Sequence, residues 1–284
     1  MPEQMTLNRP DLIALNDGAA IPQLGLGVWQ VDPVITAEVV GWGIEAGYRL
    51  IDTAEGYQNE EGVGQAIRKA GVPRGELFIT SKLRNGAHQR DAALRAFDET
   101  MEKLGIEQLD LFLIHWPVPS QGKYVEAWKT LVELRQAGRI KSIGVSNFNK
   151  DHLERIIGET GVTPVVNQIE LHPRFQQRDA RDFHARRNIR IESWSPLGSG
   201  RLLSDPTLAG IAGKHGKSVA QIIIRWHLQE GLIAIPKSNH QERIAANFDV
   251  FDFELDAKDL ETIGGMDSPD GRNGANPATA AFLF

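Results

Sequence analysis

The chain has 284 residues, 41% hydrophobic and 24% charged, a balance that excludes a disordered chain and leaves ample apolar material for a large core. Its formal net charge of -6 argues against a nucleic-acid backbone as the main partner, and the lack of any cysteine excludes disulfides, thiolate metal sites and a cysteine nucleophile. No run of about 18 apolar residues occurs and the opening MPEQMTLNRPD holds no signal-like core, so a cytoplasmic protein with no membrane partner is expected.

In chain order, residues 11–24 read as a β-hairpin, because two short apolar runs flank Asn16, Asp17 and Gly18, a turn sequence that favours positive φ. From Gly25 onward, apolar runs of strand length alternate with amphipathic stretches of helix length, the pattern of βα units in a parallel sheet. The strands are expected at 24–28, 49–52, 77–82, 109–115, 140–146, 165–170, 190–194 and 233–236. Helices are expected at 34–46, 60–70, 89–104, 124–137, 150–160, 178–187, 218–229 and 241–250, several closed by a glycine such as Gly71, Gly105, Gly138 or Gly231. Eight of each indicate a closed (β/α)8 TIM barrel. An open doubly wound sheet is the rival, but the run from Gly25 through Gly27 to Gln30 lacks the third glycine of a dinucleotide-binding turn. Residues 206–215 and 256–266 fall outside the eightfold pattern and read as added helices. The tail 267–284, rich in Gly, Pro, Asn and Ala, reads as a loop with an apolar tip, Phe282, Leu283 and Phe284, rather than as a linker. With no domain boundary in sight, residues 1–284 are expected to form one barrel domain.

In a parallel barrel, residues that end different strands converge on one face. Asp52, Lys82 and His115 end three successive strands, and Tyr57 follows Asp52 on the next loop. Singly, each has an ordinary role: a helix cap, a surface cation, a core histidine, a half-buried aromatic. Together they form a set, because strand interiors such as Leu111-Phe112-Leu113-Ile114 are wholly apolar, a charge at their ends needs a partner, and Lys82 with Asp52 supplies one. An ammonium beside the Tyr57 phenol is expected to lower its pKa and make it a proton donor near neutrality, with His115 orienting a carbonyl oxygen. No nucleophile stands out, so a cofactor is the natural source, for example of hydride. Lys237 and Ser238 open a helix bearing Arg243 and Asn247, where barrels commonly bind phosphate. Ser146, Asn147 and Gln168, with the flat Trp194, could hold a planar carboxamide ring. There is no His-Glu-x-x-His motif and the eight histidines are dispersed, so no metal is expected.

These residues resemble the aldo-keto reductase superfamily over about residues 20–271. The matching motifs are Gly47-Tyr48-Arg49-Leu50-Ile51-Asp52-Thr53-Ala54 with Tyr57 at the expected spacing, Leu113-Ile114-His115-Trp116-Pro117, Ile143-Gly144-Val145-Ser146-Asn147-Phe148 and Ile235-Pro236-Lys237-Ser238. The chain resembles in particular the bacterial 2,5-diketo-D-gluconate reductase-like members, which share the tryptophan at 194. The resemblance implies a barrel that uses NADPH to reduce aldehydes or ketones, with Tyr57 donating the proton, Asp52 and Lys82 tuning it and His115 orienting the substrate. It further implies cofactor contacts from Gly27, Val28, Asp52, Ser146, Asn147, Gln168, Trp194, Ser195, Leu197, Ser199, Ala220, Ile235, Pro236, Lys237, Ser238, Arg243 and Asn247. Trp29 and Trp116, beside Tyr57 and His115, would face the substrate, the C-terminal tail at about 267–284 would correspond to the family's variable substrate loop, and Ala246 stands where the family often has glutamate. A monomer acting on a small carbonyl compound is expected, with no nucleic-acid partner. The alternatives are a Schiff-base lyase using Lys82, and a nucleotide-binding regulatory or structural barrel with negligible turnover.

Overall fold

Asn16, Asp17 and Gly18 turn the chain as their sequence suggests, with Gly18 at φ 91° in the left-handed region that only glycine enters freely. The computed structural model describes residues 10–284. The turn joins β1 (Leu12–Ala14) to β2 (Ala20–Pro22) in an antiparallel hairpin whose register pairs Ile13 with Ile21. Ile21, fully buried, and Leu15 pack on Leu50, Leu111, Leu113, Val166 and Ile233, so the hairpin plugs the lower end of the barrel. Asn16 Nδ2 fixes the plug by donating to the carbonyls of Pro164 and Asn188 at 2.9 and 3.0 Å.

The barrel strands are β3 (Gly25–Gly27), β4 (Leu50–Asp52), β5 (Phe78–Leu83), β6 (Leu109–Ile114), β7 (Ile140–Ser146), β8 (Val166–Glu170), β9 (Arg190–Trp194) and β10 (Ile233–Ala234), each hydrogen-bonded in parallel to the next. A bridge between Leu24 and Ala234, with Gly27 N donating to Pro236 O at 3.2 Å, brings the first and last strands together. The last strand is shorter than the expected 233–236, since Pro236 has no N–H for a ladder. β5 also runs one residue past Lys82, which therefore lies inside a strand rather than at its end. Gly27 has a steric reason: a Cβ there would lie 2.9 Å from the Ile235 carbonyl oxygen, on backbone that has little room to move.

Outside the strands run α1 (Pro33–Ala46), α2 (Glu60–Lys69), α3 (Arg90–Leu104), α4 (Tyr124–Gln136), α5 (Lys150–Thr160), α6 (Arg178–Arg186), α8 (Val219–Gln229) and α9 (Gln241–Phe248), with α7 (Pro206–His215) and α10 (Ala257–Gly264) as the two added helices. Their starts are chemically specified. Asp32 caps α1 by accepting from Val34 N at 2.9 Å, with Pro33 in the first position, and Ser218 with Gln221 forms a capping box on α8. Their inward faces bury Val39, Phe97, Trp128, Leu153, Ile224 and Ile244 against the sheet. The sheet is thus covered outside by helices, filled inside and plugged below, which leaves the ends carrying the strand-to-helix loops as the open mouth.

Candidate active site

The short β4 ends in Asp52 and the buried β5 holds Lys82, and neither can face water: they are 2% and 0% exposed. They satisfy each other, with Lys82 Nζ donating to Asp52 Oδ1 at 2.6 Å and to the Thr53 carbonyl at 2.9 Å. The third donor direction reaches Tyr57 Oη at 3.2 Å, on the short 3-10 turn after β4. Tyr57 in turn meets the His115 ring edge-on, centroids 5.5 Å apart. The four residues converge as the barrel geometry requires, although 63 positions separate Asp52 from His115.

Burial dominates their charge states. It would pull Lys82 down, but the charges of Asp52 and Tyr57 and the hydrogen bond from Asp52 outweigh it and hold the ammonium above its ordinary value. Burial holds the Asp52 carboxyl up, against the charge of Lys82 and the hydrogen bonds from Lys82 and Gln168. The Tyr57 pKa is raised and not lowered as expected: burial raises it, and Lys82 offsets only part of that rise. Burial, then the nearby Lys82, holds His115 well below its ordinary value, so its imidazole is neutral. Its Nδ1 is buried without a partner, which leaves Nε2 as the nitrogen open to the mouth.

Above this cluster lies a cavity of about 710 Å³ lined by Gly27, Trp29, Asp52, Tyr57, His115, Trp116, Ser146, Asn147, Gln168, Trp194, Ser195, Leu197, Ser199, Ile235, Pro236 and Lys237. Sixteen sequence-derived residues therefore share one space. Val28, Ser238, Arg243, Asn247 and Ala220 lie off its wall: Ala220 sits in the first turn of α8, and Arg243 and Asn247 lie on α9 beyond Lys237. Lys82 forms the floor rather than the wall. Trp29 stands 51% exposed on the rim, whereas Trp116 is buried.

The hydrogen bonds of the upper wall form a chain. Ser146 Oγ donates to Gln168 O at 2.8 Å, and Asn147 Nδ2 donates to Ser146 Oγ and to His115 O at 2.9 and 3.0 Å. Trp194 Nε1 donates to Asn147 Oδ1 at 2.8 Å, holding the indole as a flat side of the cavity. Gln168 Nε2 spends both hydrogens on carboxyl oxygens, Asp52 Oδ2 and Glu192 Oε2, each at 2.8 Å, so the amide oxygen is the end left for the cavity. Lys237 and Arg243 have no carboxylate partner among the described residues; α9 opens at Gln241 rather than at Lys237 and Ser238 as expected, so one unneutralised cation stands in the loop before α9 and one in its first turn. A free amide oxygen beside an indole face at one end, and uncompensated cations at the other, fit a ligand with a carboxamide ring and a phosphate.

The tail supplies residues that the strand-and-motif pattern missed. Phe284 packs edge-on against His115 and Phe282 against Trp116, both with centroids 5.1 Å apart. Asn273 N and Gly274 N donate to the Glu170 carboxylate at 2.6 and 2.9 Å, and a Cβ on Gly274 would lie 2.4 Å from the Trp194 ring. Glu192, buried and bonded to Gln168, is a further site residue outside the motifs. Its signal was a charge in the strand run Arg190-Ile191-Glu192-Ser193-Trp194, on the same face as Trp194.

An eightfold βα barrel with a buried ammonium–carboxylate pair under a phenol and a neutral imidazole belongs to the class of barrel proteins that carry their chemistry at the strand C-termini. Within that class, the sequence profile of the Aldo/keto reductase family matches residues 22–267, and the chain belongs to this family. An aldo-keto reductase of Mycolicibacterium smegmatis is 53% identical over 270 residues, covering 95% of this chain and 98% of that protein. Methylglyoxal reductase DkgA of Escherichia coli K12 is 52% identical over 262 residues, covering 91% and 94%. Among solved structures, a mutant of Gox0644 in complex with NADPH superposes with a TM-score of 0.93 at 55% identity, covering 96% of this chain and 99% of that one.

Proposed function

We propose that this protein reduces small aldehydes and ketones to alcohols, with Tyr57 as the proton donor. The protein is an NADP(H)-dependent oxidoreductase of the aldo-keto reductase family. When bound, NADPH supplies the hydride. The observation that carries the role of Tyr57 is the 3.2 Å contact of its hydroxyl with Lys82 Nζ, itself locked to Asp52 at 2.6 Å on the dry floor of the cavity.

The raised pKa of Tyr57 keeps the phenol protonated, the form that can donate. Lys82 then stabilises the phenolate left behind, while Asp52 keeps Lys82 charged and aimed. Neutral His115 can donate from Nε2 to the same carbonyl oxygen, so oxygen and proton source are held together. Ser146, Asn147 and Gln168 would hold the carboxamide, with Trp194 against the ring. Asn147 must exchange a present partner to do so, since both ends of its amide are engaged. Lys237, Ser238 and Arg243 would meet the 2′-phosphate, with Asn247 near the adenine. Trp29, Trp116 and the aromatic tail favour a compact carbonyl compound with an apolar or flat part. The methylglyoxal reductase among the relatives makes that small dicarbonyl the first substrate to test.

The same reading takes residues 1–284 as one barrel domain working as a monomer in the cytoplasm. No helix among the described residues is long and apolar enough to cross a membrane. A Schiff-base role for Lys82 is disfavoured, because it needs a neutral amine and Asp52 favours the ammonium.

NADPH consumption followed at 340 nm with methylglyoxal and a panel of reactive aldehydes tests the proposal. Turnover that saturates in both substrates is expected. Cofactor binding without consumption of any carbonyl compound would leave a nucleotide-binding barrel instead.

A further inference from the structure

Gln168 is held from below by two carboxyl groups, and only Asp52 has an ionic partner. Glu192, on β9, is 0% exposed and accepts from Gln168 Nε2 through Oε2 at 2.8 Å, while its Oε1 has no partner. The register places Glu192 directly opposite Gln168, and Trp194 two residues further on the same face. With Lys82 and Asp52 both ionised the cluster is neutral, and an ionised Glu192 would leave one unpaired negative charge in a water-excluded space. We propose that Glu192 is a positioning residue that holds the Gln168 amide with its oxygen toward the cavity and, through its own protonation, sets which oxidation state of the nicotinamide ring is bound more tightly. The proposal rests on the assignment of Gln168 and Trp194 to that ring.

The electrostatics follow from charge. The oxidised ring is cationic and the reduced ring neutral, so a negative charge beneath Gln168 favours NADP+ over NADPH. At the ordinary protein separations of a few side chains, one charge changes the preference by about tenfold. Burial, then the charge of Asp52, pushes the Glu192 carboxyl from 4.5 up to about 8, with the Gln168 hydrogen bond and Lys82 opposing. The groups that face it are Asp52 on β4, Tyr57 on the turn after it, Lys82 on β5 and the uncharged Gln168 on β8. Lys82 and Tyr57 are held above 10.5 and 10.0, and the nearby His115 well below 6.5, so none of these three titrates between pH 7 and 9. Burial also raises Asp52, against the charge of Lys82, so the two carboxyls that share Gln168 titrate as a pair, and Glu192→Gln removes the Glu192 member of it alone. The 2′-phosphate and Lys237 act equally on both cofactors and cancel in the ratio of their affinities.

The experiment measures Kd for NADPH and NADP+ by quenching of tryptophan fluorescence from pH 6.5 to 9.5, in wild type and Glu192→Gln. For wild type, the ratio Kd(NADP+)/Kd(NADPH) is expected to fall by about tenfold as pH rises through about 8. Glu192→Gln keeps an oxygen acceptor for Gln168, so it should bind NADPH at pH 7 within about twofold of wild type and show a flat ratio. Glu192→Leu removes the acceptor and should weaken both cofactors about tenfold at every pH. A flat wild-type ratio, or an equal slope in Glu192→Gln, overturns the role of Glu192. Failure of wild type to bind NADPH at any pH overturns the cofactor assignment and this proposal with it, a result distinct from normal binding with a flat ratio.

Discussion

Tyr57 has a pKa problem that its neighbours divide between them. Burial raises its pKa, which keeps the proton on but makes its transfer costly, and Lys82 at 3.2 Å lowers that cost only as the phenolate forms. An interaction stronger in the product of proton transfer than in the resting state is one that speeds the step. Tyr57→Phe should therefore bind NADPH within about twofold of wild type while kcat falls by about 10²–10⁴-fold, the usual range for a lost general acid. Fluorescence titration and single-turnover absorbance at 340 nm measure the two quantities separately. A kcat within a fewfold of wild type would take Tyr57 out of the acid role. Arg243 is the opposite case, exposed on α9 and away from the cavity wall.

At the scale of elements, the eight βα units were legible because strand-length runs with apolar positions alternate with amphipathic stretches of helix length, and the cluster of Asp52, Tyr57, Lys82 and His115 was legible because three successive strands end in, or nearly in, ionisable residues. Glu192 was not, since a charge in a short strand signals its importance only once the strand's inward face is known. The tail was legible as a loop with an apolar tip, and through the family resemblance as a substrate loop, but its individual contacts were not, because they involve residues a hundred positions away. Those contacts begin at Glu170, where β8 ends. Its carboxylate takes two backbone N–H bonds from Asn273 and Gly274 and a 3.2 Å contact from His172 Nε2, while Arg201 after β9 donates to Asn273 Oδ1 at 2.8 Å. Burial would raise the Glu170 pKa, but the His172 bond and the two backbone bonds outweigh it, so the carboxylate stays ionised. Charge-assisted bonds of this kind are worth about 1.5–3 kcal/mol each. Glu170→Gln exchanges one acceptor oxygen for a donor that faces an N–H. We expect faster amide hydrogen exchange over residues 273–284 with the barrel strands unchanged, and KM for the carbonyl substrate raised about tenfold with NADPH affinity nearly constant. Unchanged exchange in the tail would mean that the aromatic contacts of Phe282 and Phe284 suffice to hold it.

For the molecule as a whole, cofactor binding and stability are linked, because a ligand that requires the closed barrel binds the folded state alone. NADPH at a hundred times its Kd should add about 2.7 kcal/mol. In a chain of this size each kcal/mol moves Tm by about 2–4 °C, so a rise of roughly 5–10 °C is expected. NADH lacks the 2′-phosphate assigned to Lys237, Ser238 and Arg243, and losing charge-assisted bonds worth about 2–3 kcal/mol should leave it a rise of only about 1–3 °C at the same concentration. Arg243 is the place to cut this difference, since it has no ion pair among the described residues and sits on the exposed side of α9, away from the core formed by Ile244 and Phe248. Arg243→Ala should therefore keep the Tm of the free protein within about 1 °C, consistent with a surface substitution. With NADPH present its Tm should fall toward the NADH value, while the NADH value itself barely moves. Equal losses with both cofactors would place Arg243 on a part of the nucleotide common to the two, and the discrimination would then rest on Lys237 and Ser238.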